Sequence, residues 1–307
     1  MAGKVLVIRG GAIGDFVLTL PVFTALRSHL PQASLHVLGY GNIAQLAVAG
    51  GLADEVRPIE SRALAGFFAR NGTLTAELQD YFASFAVIIS YLYDPDELFQ
   101  SNVARCSKAQ FIVGPHRPDD RAGIHASEVF LKPLERLAVF DANPVPHLSL
   151  NAQRSRLNQI ALHPGSGSER KNWPEHRWAE LLERLIVASD VRLLLVGGEA
   201  EGDRLERLAS RLPKQRVEVA RNLPLTELGK RLMTCIAFVG HDSGITHLAA
   251  ALGIPGMVLW GETAREVWAP RNPNLEILAH ESGLAGLETE TVFAALEKLL
   301  RKPKAKV

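Results

Sequence analysis

Lys4-Val5-Leu6-Val7-Ile8-Arg9-Gly10-Gly11-Ala12-Ile13-Gly14-Asp15 is the stretch on which the fold turns. Lys4–Arg9 is short, apolar and rich in β-branched residues, the pattern of a strand buried on both faces. Gly10, Gly11 and Gly14 make the turn that follows. Over residues 15–30, Phe16, Leu20, Phe23, Leu26 and Leu30 recur at helical spacing. A strand, a glycine turn and a helix open a βαβ unit. The alternation continues outward: a strand at 34–38 ending in Gly39-Tyr40-Gly41, weaker units, strands at 85–90 and 110–113, and an amphipathic helix at 124–139.

From 140 to 158 the rhythm breaks around Pro144 and Pro146, which predicts a linker. A second alternation follows. Strands are expected at 159–163, 191–196, 217–220, 237–240 and 257–260. Helices are expected at 174–188, 202–212, 225–234, 245–252 and 288–301. Strands alternating with helices mean right-handed crossovers and parallel sheets. The expectation is two doubly wound, Rossmann-like domains, 1–150 and 151–307. Ligands in such sheets bind beyond the carboxyl ends of the strands, so two facing domains predict an active site in their cleft.

Bulk properties narrow the function. A chain of 307 residues is long for one core and suits two domains of about 150 residues. Apolar residues make up 47%, too many for a disordered chain. A formal net charge of +1 shows no basic excess, which argues against a nucleic-acid partner. Cys106 and Cys235 form no CxxC pair and no zinc spacing, and read as small buried hydrophobes in a reducing compartment. The apolar run at 5–8 stops at Arg9, too short for a signal peptide, and nothing approaches the roughly 20 apolar residues of a spanning helix. A cytoplasmic protein is expected, with peripheral attachment to a membrane surface as the most the sequence allows.

Three constellations carry candidate chemistry. In the first, the turn from Gly10 to Asp15 brings backbone N–H groups and a helix N-terminus to one point. A nicotinamide cofactor is rejected, because Arg9 stands where the GxGxxG fingerprint needs its first glycine and no acidic residue ends the second strand. Asp15 reads in two ways: a first-turn carboxylate that complements the helix dipole, or a general base at the mouth of the cleft.

The second constellation is His163-Pro164-Gly165-Ser166-Gly167-Ser168-Glu169-Arg170-Lys171-Asn172-Trp173-Pro174. Small residues permit close backbone approach to a phosphate, Lys171 supplies a point charge, and Pro174 is expected at the first position of a helix. The GK[ST] ending of a Walker loop is missing. A plain flexible loop would explain the glycines, but less well the rigid Trp-Pro beside Lys171. The third is Gly240-His241-Asp242-Ser243-Gly244-Ile245-Thr246-His247, where Asp242 and Ser243 are N-cap candidates. The free amides of such a helix start form an anion site, and a pyrophosphate there would also meet Lys171. His247, in the first turn, suits the core as well as catalysis.

Weaker signals have structural readings. Asp94-Pro95-Asp96 looks like a DxD metal motif, but a turn with an N-cap explains it better. The four tryptophans suit core or cleft wall, residues 117–121 suit a solvated loop, and the basic stretch 298–304 suits a solvated end.

These three sites, in this order, resemble glycosyltransferase family 9, the ADP-heptose:lipopolysaccharide heptosyltransferases. The matching residues are Ile13-Gly14-Asp15-Phe16-Val17-Leu18-Thr19-Leu20-Pro21; His163-Pro164-Gly165-Ser166-Gly167 with Lys171, Trp173-Pro174 and Trp178; and Asp242-Ser243-Gly244-Ile245-Thr246-His247 with Ala250, Leu252-Gly253-Ile254-Pro255 and Gly261-Glu262-Thr263. The resemblance implies a GT-B fold, with the acceptor on the N-terminal domain and a nucleotide-sugar on the C-terminal one. It implies metal-independent inversion at the anomeric carbon with no cofactor, from a donor with ADP and heptose as the family expectation, onto a lipopolysaccharide-type glycolipid at the inner membrane. Carried over by position, Asp15 is the base and Lys171 steadies the departing phosphate. Asp242 contacts the donor sugar, and Ser243, Gly244 and His247 line the phosphate pocket. His163, Gly165, Ser166, Gly167 and Thr246 complete the donor site, and Gly11 and Gly14 lie on the acceptor side.

Two departures stand out. The strand at 85–90 lacks the aspartate the family often carries at its end, with Tyr91-Leu92-Tyr93 there instead, and the segment after Asp94 is short of basic residues for a phosphorylated lipid core. Competing readings are a nucleotide-sugar 2-epimerase, which shares the two-domain layout, and a catalytically silent nucleotide-sugar-binding protein.

Overall fold

The inner strands of the first unit, Met1–Ser149, are short and apolar because helices cover their sheet. β1 (Lys4–Arg9), β2 (Ser34–Gly39), β3 (Glu55–Pro58), β4 (Val87–Ser90) and β5 (Gln110–Val113) pair in parallel in the order β3-β2-β1-β4-β5. Helices α1 (Ile13–His29), α2 (Gly41–Ala49), α3 (Ala76–Ala83), α4 (Leu98–Ala104) and α5 (Ala126–Leu131) connect and flank them. Leu6, Ile8, Leu38 and Ile88 from the strands pack with Phe67, Phe82 and Phe99, all buried. Each such side chain contributes about 1.5–3 kcal/mol relative to exposure. The computed structural model describes residues 3–151 and 157–301. Part of the expected linker (152–156) and the end of the basic stretch (302–304) lie outside the described residues.

The second unit, Leu150–Val307, repeats the plan with one more strand. β6 (Gln159–His163), β7 (Arg192–Gly197), β8 (Val217–Arg221), β9 (Ala237–His241), β10 (Gly256–Trp260) and β11 (Leu275–Ala279) form a parallel sheet in the order β11-β10-β9-β6-β7-β8. Its helices are α6 (Glu175–Ala188), α7 (Arg204–Ser210), α8 (Leu225–Met233), α9 (Gly244–Ala251), α10 (Arg265–Trp268) and α11 (Thr289–Arg301). Trp173 and Trp178 anchor one core, ring centroids 5.4 Å apart and nearly edge-on, with Trp173 Nε1 donating to the Leu287 carbonyl at 2.8 Å. Strand order reverses between β1 and β4 in one unit and between β6 and β9 in the other. In sheets of this kind, ligands bind at such a switch point, beyond the carboxyl ends of the strands.

Several expectations are corrected. The helix expected at 124–139 is α5 followed by a 3₁₀ turn, Lys132–Leu137, because Pro133 lacks an N–H and its ring crowds the preceding turn. Pro174 sits one residue earlier than expected, as the N-cap of α6. Of the two N-cap candidates, Ser243 caps α9 and Asp242 precedes it. Cys235 is buried, as expected, whereas Cys106 is only half-buried. The turn expected at 94–96 serves the start of α4, although the N-cap itself is Glu97: both Asp94 carboxylate oxygens accept backbone amides there, from Phe99 at 3.2 Å and Gln100 at 3.0 Å. Among the described residues, no helix is long and apolar enough to cross a membrane.

Candidate functional site

In the first unit, β1 delivers its last residue, Arg9, and the start of α1 to the switch point. Asp15 is the third residue of α1, and its Oδ2 accepts the Ala12 amide at 3.1 Å. The structural reading of Asp15 is thus realised, with one carboxylate oxygen. Oδ1 faces Arg9 Nη2 at 3.6 Å, and the side chain keeps 28% exposure. Gly11, at φ +98°, has to be glycine: an added Cβ would come within 2.9 Å of Asp15 Oδ2. Gly14 follows in the first turn of α1, whose leading amides have no partners within the helix.

Arg9 has a role that sequence reasoning missed. Its guanidinium is buried, lies 4.3 Å from the Phe130 ring centroid, and donates through Nη1 to the His116 carbonyl at 2.8 Å. Burial lowers its pKa, which Asp15 opposes. The available signal was an arginine closing an otherwise apolar strand.

In the second unit, β6 and β9 are neighbours, so residues about eighty positions apart meet. Lys171 Nζ lies 2.7 Å from Asp242 Oδ2. Ser243 Oγ accepts the Thr246 amide at 3.3 Å and lies 3.2 Å from His163 Nδ1. Thr246 donates its hydroxyl to the His241 carbonyl. Gly244 opens α9, and His247 is buried in its first turns. Ser166 Oγ reaches Asn172 Oδ1 at 2.7 Å, and Gly167 adopts φ +75° in the exposed loop between them. His163, Ser166, Lys171, Asp242, Ser243 and Thr246 thus gather around one loop and one helix start.

Two buried groups behind this loop were not singled out beforehand. His241 accepts the Trp173 amide at Nε2 (2.8 Å), so its Nδ1–H faces the Gly165 carbonyl at 3.2 Å. Burial pushes its pKa down to about 3, against the hydrogen bond to Gly165, so the ring is neutral. Glu201 places Oε1 3.6 Å from His163 Nε2 and accepts the Gly198 amide. Gly165 makes room for it, since a Cβ there would fall 2.0 Å from Glu201 Oε1. Burial alone would raise the Glu201 carboxyl, but the neighbouring His163 ring and the hydrogen bond from the Gly198 amide outweigh it and hold the pKa at about 2.

Both groups predict sensitivity to acid. A depressed carboxylate contributes stability above its ordinary pKa of 4.5, lost as pH falls toward about 2. A depressed imidazole loses stability as pH falls from 6.5 toward about 3. Glu201→Gln should flatten the fall in unfolding free energy between pH 5 and pH 3, measured by urea titration. An unchanged slope would remove Glu201 from this account.

The sequence profile of glycosyltransferase family 9 (heptosyltransferase) matches residues 136–295. The chain belongs to glycosyltransferase family 9. Among relatives, lipopolysaccharide heptosyltransferase 1 of Pseudomonas aeruginosa is 36% identical over 131 residues, which is 42% of this chain and 33% of that protein. The match therefore spans about a third of that relative's length. Among solved structures, E. coli ADP-heptose lps heptosyltransferase II aligns with TM-score 0.79 at 18% identity, over 97% of this chain and 98% of that one. E. coli heptosyltransferase WaaC with ADP aligns with TM-score 0.75 at 19% identity, over 96% and 99%. At these identities the likeness is one of fold, and the family 9 chain has the expected GT-B fold class with two Rossmann-like parallel sheets.

Proposed function

We propose that this family 9 protein transfers a sugar from a nucleotide-sugar to a lipopolysaccharide core-type acceptor, inverting the anomeric carbon without a metal ion. ADP-heptose is the donor that the named relatives suggest, and the cytoplasmic face of the inner membrane is the expected place of action. One observation carries the reading: the Lys171 ammonium, held 2.7 Å from Asp242, stands beside the Ser243-capped start of α9. A departing diphosphate develops negative charge. An ammonium and helix N-terminal amides stabilise that charge as a divalent cation would elsewhere.

The step balances as a single displacement. The acceptor oxygen bonds to the anomeric carbon as the bond to the diphosphate breaks, and the electron pair leaves on the diphosphate. Asp15 takes the acceptor hydroxyl proton. Gly11 and Gly14 permit close approach on the acceptor side. His163, Gly165, Ser166, Gly167, Thr246 and His247 surround the donor phosphates, and Asp242 contacts the donor sugar.

A thermal-shift panel of nucleoside diphosphates and nucleotide-sugars tests the donor. The cognate ligand at 100 times its Kd should add about 2.7 kcal/mol of stability. No shift with any member would sink the reading. Transfer should survive EDTA unchanged, and a loss restored by Mg²⁺ would refute metal independence. The donor incubated without acceptor should yield no epimer.

A further inference from the structure

The first unit holds a pocket of about 280 Å³ just beyond the carboxyl ends of β4 and β5. That places it at the edge of the β1/β4 switch point, on the same rim of the sheet as Asp15. Arg9 joins the two: it faces Asp15 on one side and donates to the carbonyl of His116, a pocket residue, on the other. The volume falls just under the roughly 300–1,000 Å³ of drug-sized ligand sites, and suits a single sugar residue.

The lining is selective in its chemistry. Tyr93 is 72% exposed, a cost for a large ring unless something covers it, and its centroid lies 4.7 Å from that of His116. Such an aromatic surface suits the apolar C–H face of a pyranose. Glu97 is held at φ +54°, a strained conformation for a non-glycine residue and of the kind that clusters at ligand sites. Its exposed carboxylate offers acceptors for sugar hydroxyls. Asp94 is committed to capping α4, so it shapes the wall and adds a second negative charge. Among the lining residues there is no lysine or arginine. Phosphate recognition calls for those cations, and two carboxylates repel a phosphate.

We infer that this pocket is the acceptor-sugar subsite and takes an uncharged pyranose residue in preference to a phosphorylated one. The inference rests on the acceptor role proposed above for the first unit. Tyr93 is the stacking platform and Glu97 the specificity residue that rejects phosphate.

Saturation-transfer NMR tests this with methyl glucoside, methyl galactoside and methyl mannoside, each beside its phosphomonoester. At least one neutral glycoside should bind more tightly than its phosphomonoester. Tyr93→Ala should weaken the neutral ligand about tenfold. Glu97→Lys should shift the preference toward the phosphomonoester. Tyr93 is exposed, so an unchanged melting temperature will show that the fold is kept. Calorimetry with ADP, GDP and UDP on the same proteins separates the two levels. If none of the three binds the wild type, the glycosyltransferase reading falls and takes the inference with it. If one of them binds but no neutral glycoside does, or phosphomonoesters bind better, or Tyr93→Ala binds as well as wild type, the subsite assignment alone is overturned.

Discussion

Asp15→Asn is expected to lower transfer by about 10²–10⁴-fold while leaving the fold intact. The choice of asparagine separates the two roles of this residue. The Ala12 amide is capped at 3.1 Å by Asp15 Oδ2, and an asparagine side-chain oxygen can accept the same hydrogen bond. What asparagine cannot do is take a proton. Asp15→Ala loses both functions, so it should also cost about 0.5–2 kcal/mol as the cap is lost. If Asp15→Asn keeps wild-type kcat while Asp15→Ala is merely less stable, Asp15 is a helix cap and nothing more. Steady-state kinetics beside a melting curve for each variant decide the matter.

Lys171→Ala is expected to slow transfer by about 10²–10³-fold, the usual cost of removing one donor from a developing anion. Lys171 is 41% exposed but the Asp242 side chain only 10%, so losing the ammonium also costs stability, which a melting curve reads separately from the rate. The loss should fall mainly on kcat, since the leaving diphosphate carries more charge in the transition state than in the bound donor. Lys171→Arg keeps the charge but replaces a compact ammonium with a planar fork, so partial activity is expected. Unchanged kcat/KM in Lys171→Ala would remove the ammonium from the mechanism.

Much of both sheets was legible in the amino-acid pattern. Strands such as Lys4–Arg9 and Gln159–His163 are buried on both faces, so their apolar runs are continuous and bounded by glycine or proline. Edge strands β3 and β11 were missed. Glu55–Pro58 and Leu275–Ala279 are only half-buried or exposed, and they are strands because a neighbour supplies their hydrogen bonds. The overlong helix at 124–139 came from reading apolar spacing without weighing Pro133. Glu201 left no trace in the pattern: it lies in a charged stretch that reads as solvated surface, and only the fold buries it against His163.

The order of strands and helices, the glycine turns after β1 and β6, and the capping serine of α9 are written locally, because each depends on backbone preferences and apolar spacing within a few residues. Which strands became neighbours is not local. Only the pairing of β6 with β9 sets Lys171 against Asp242 and His163 against Ser243, and only the pairing of β1 with β4 and the burial of Arg9 join Asp15 to the wall of the β4/β5 pocket. Long-range pairing is decided by how the whole apolar surface is buried, and that surface exists only once the chain has folded.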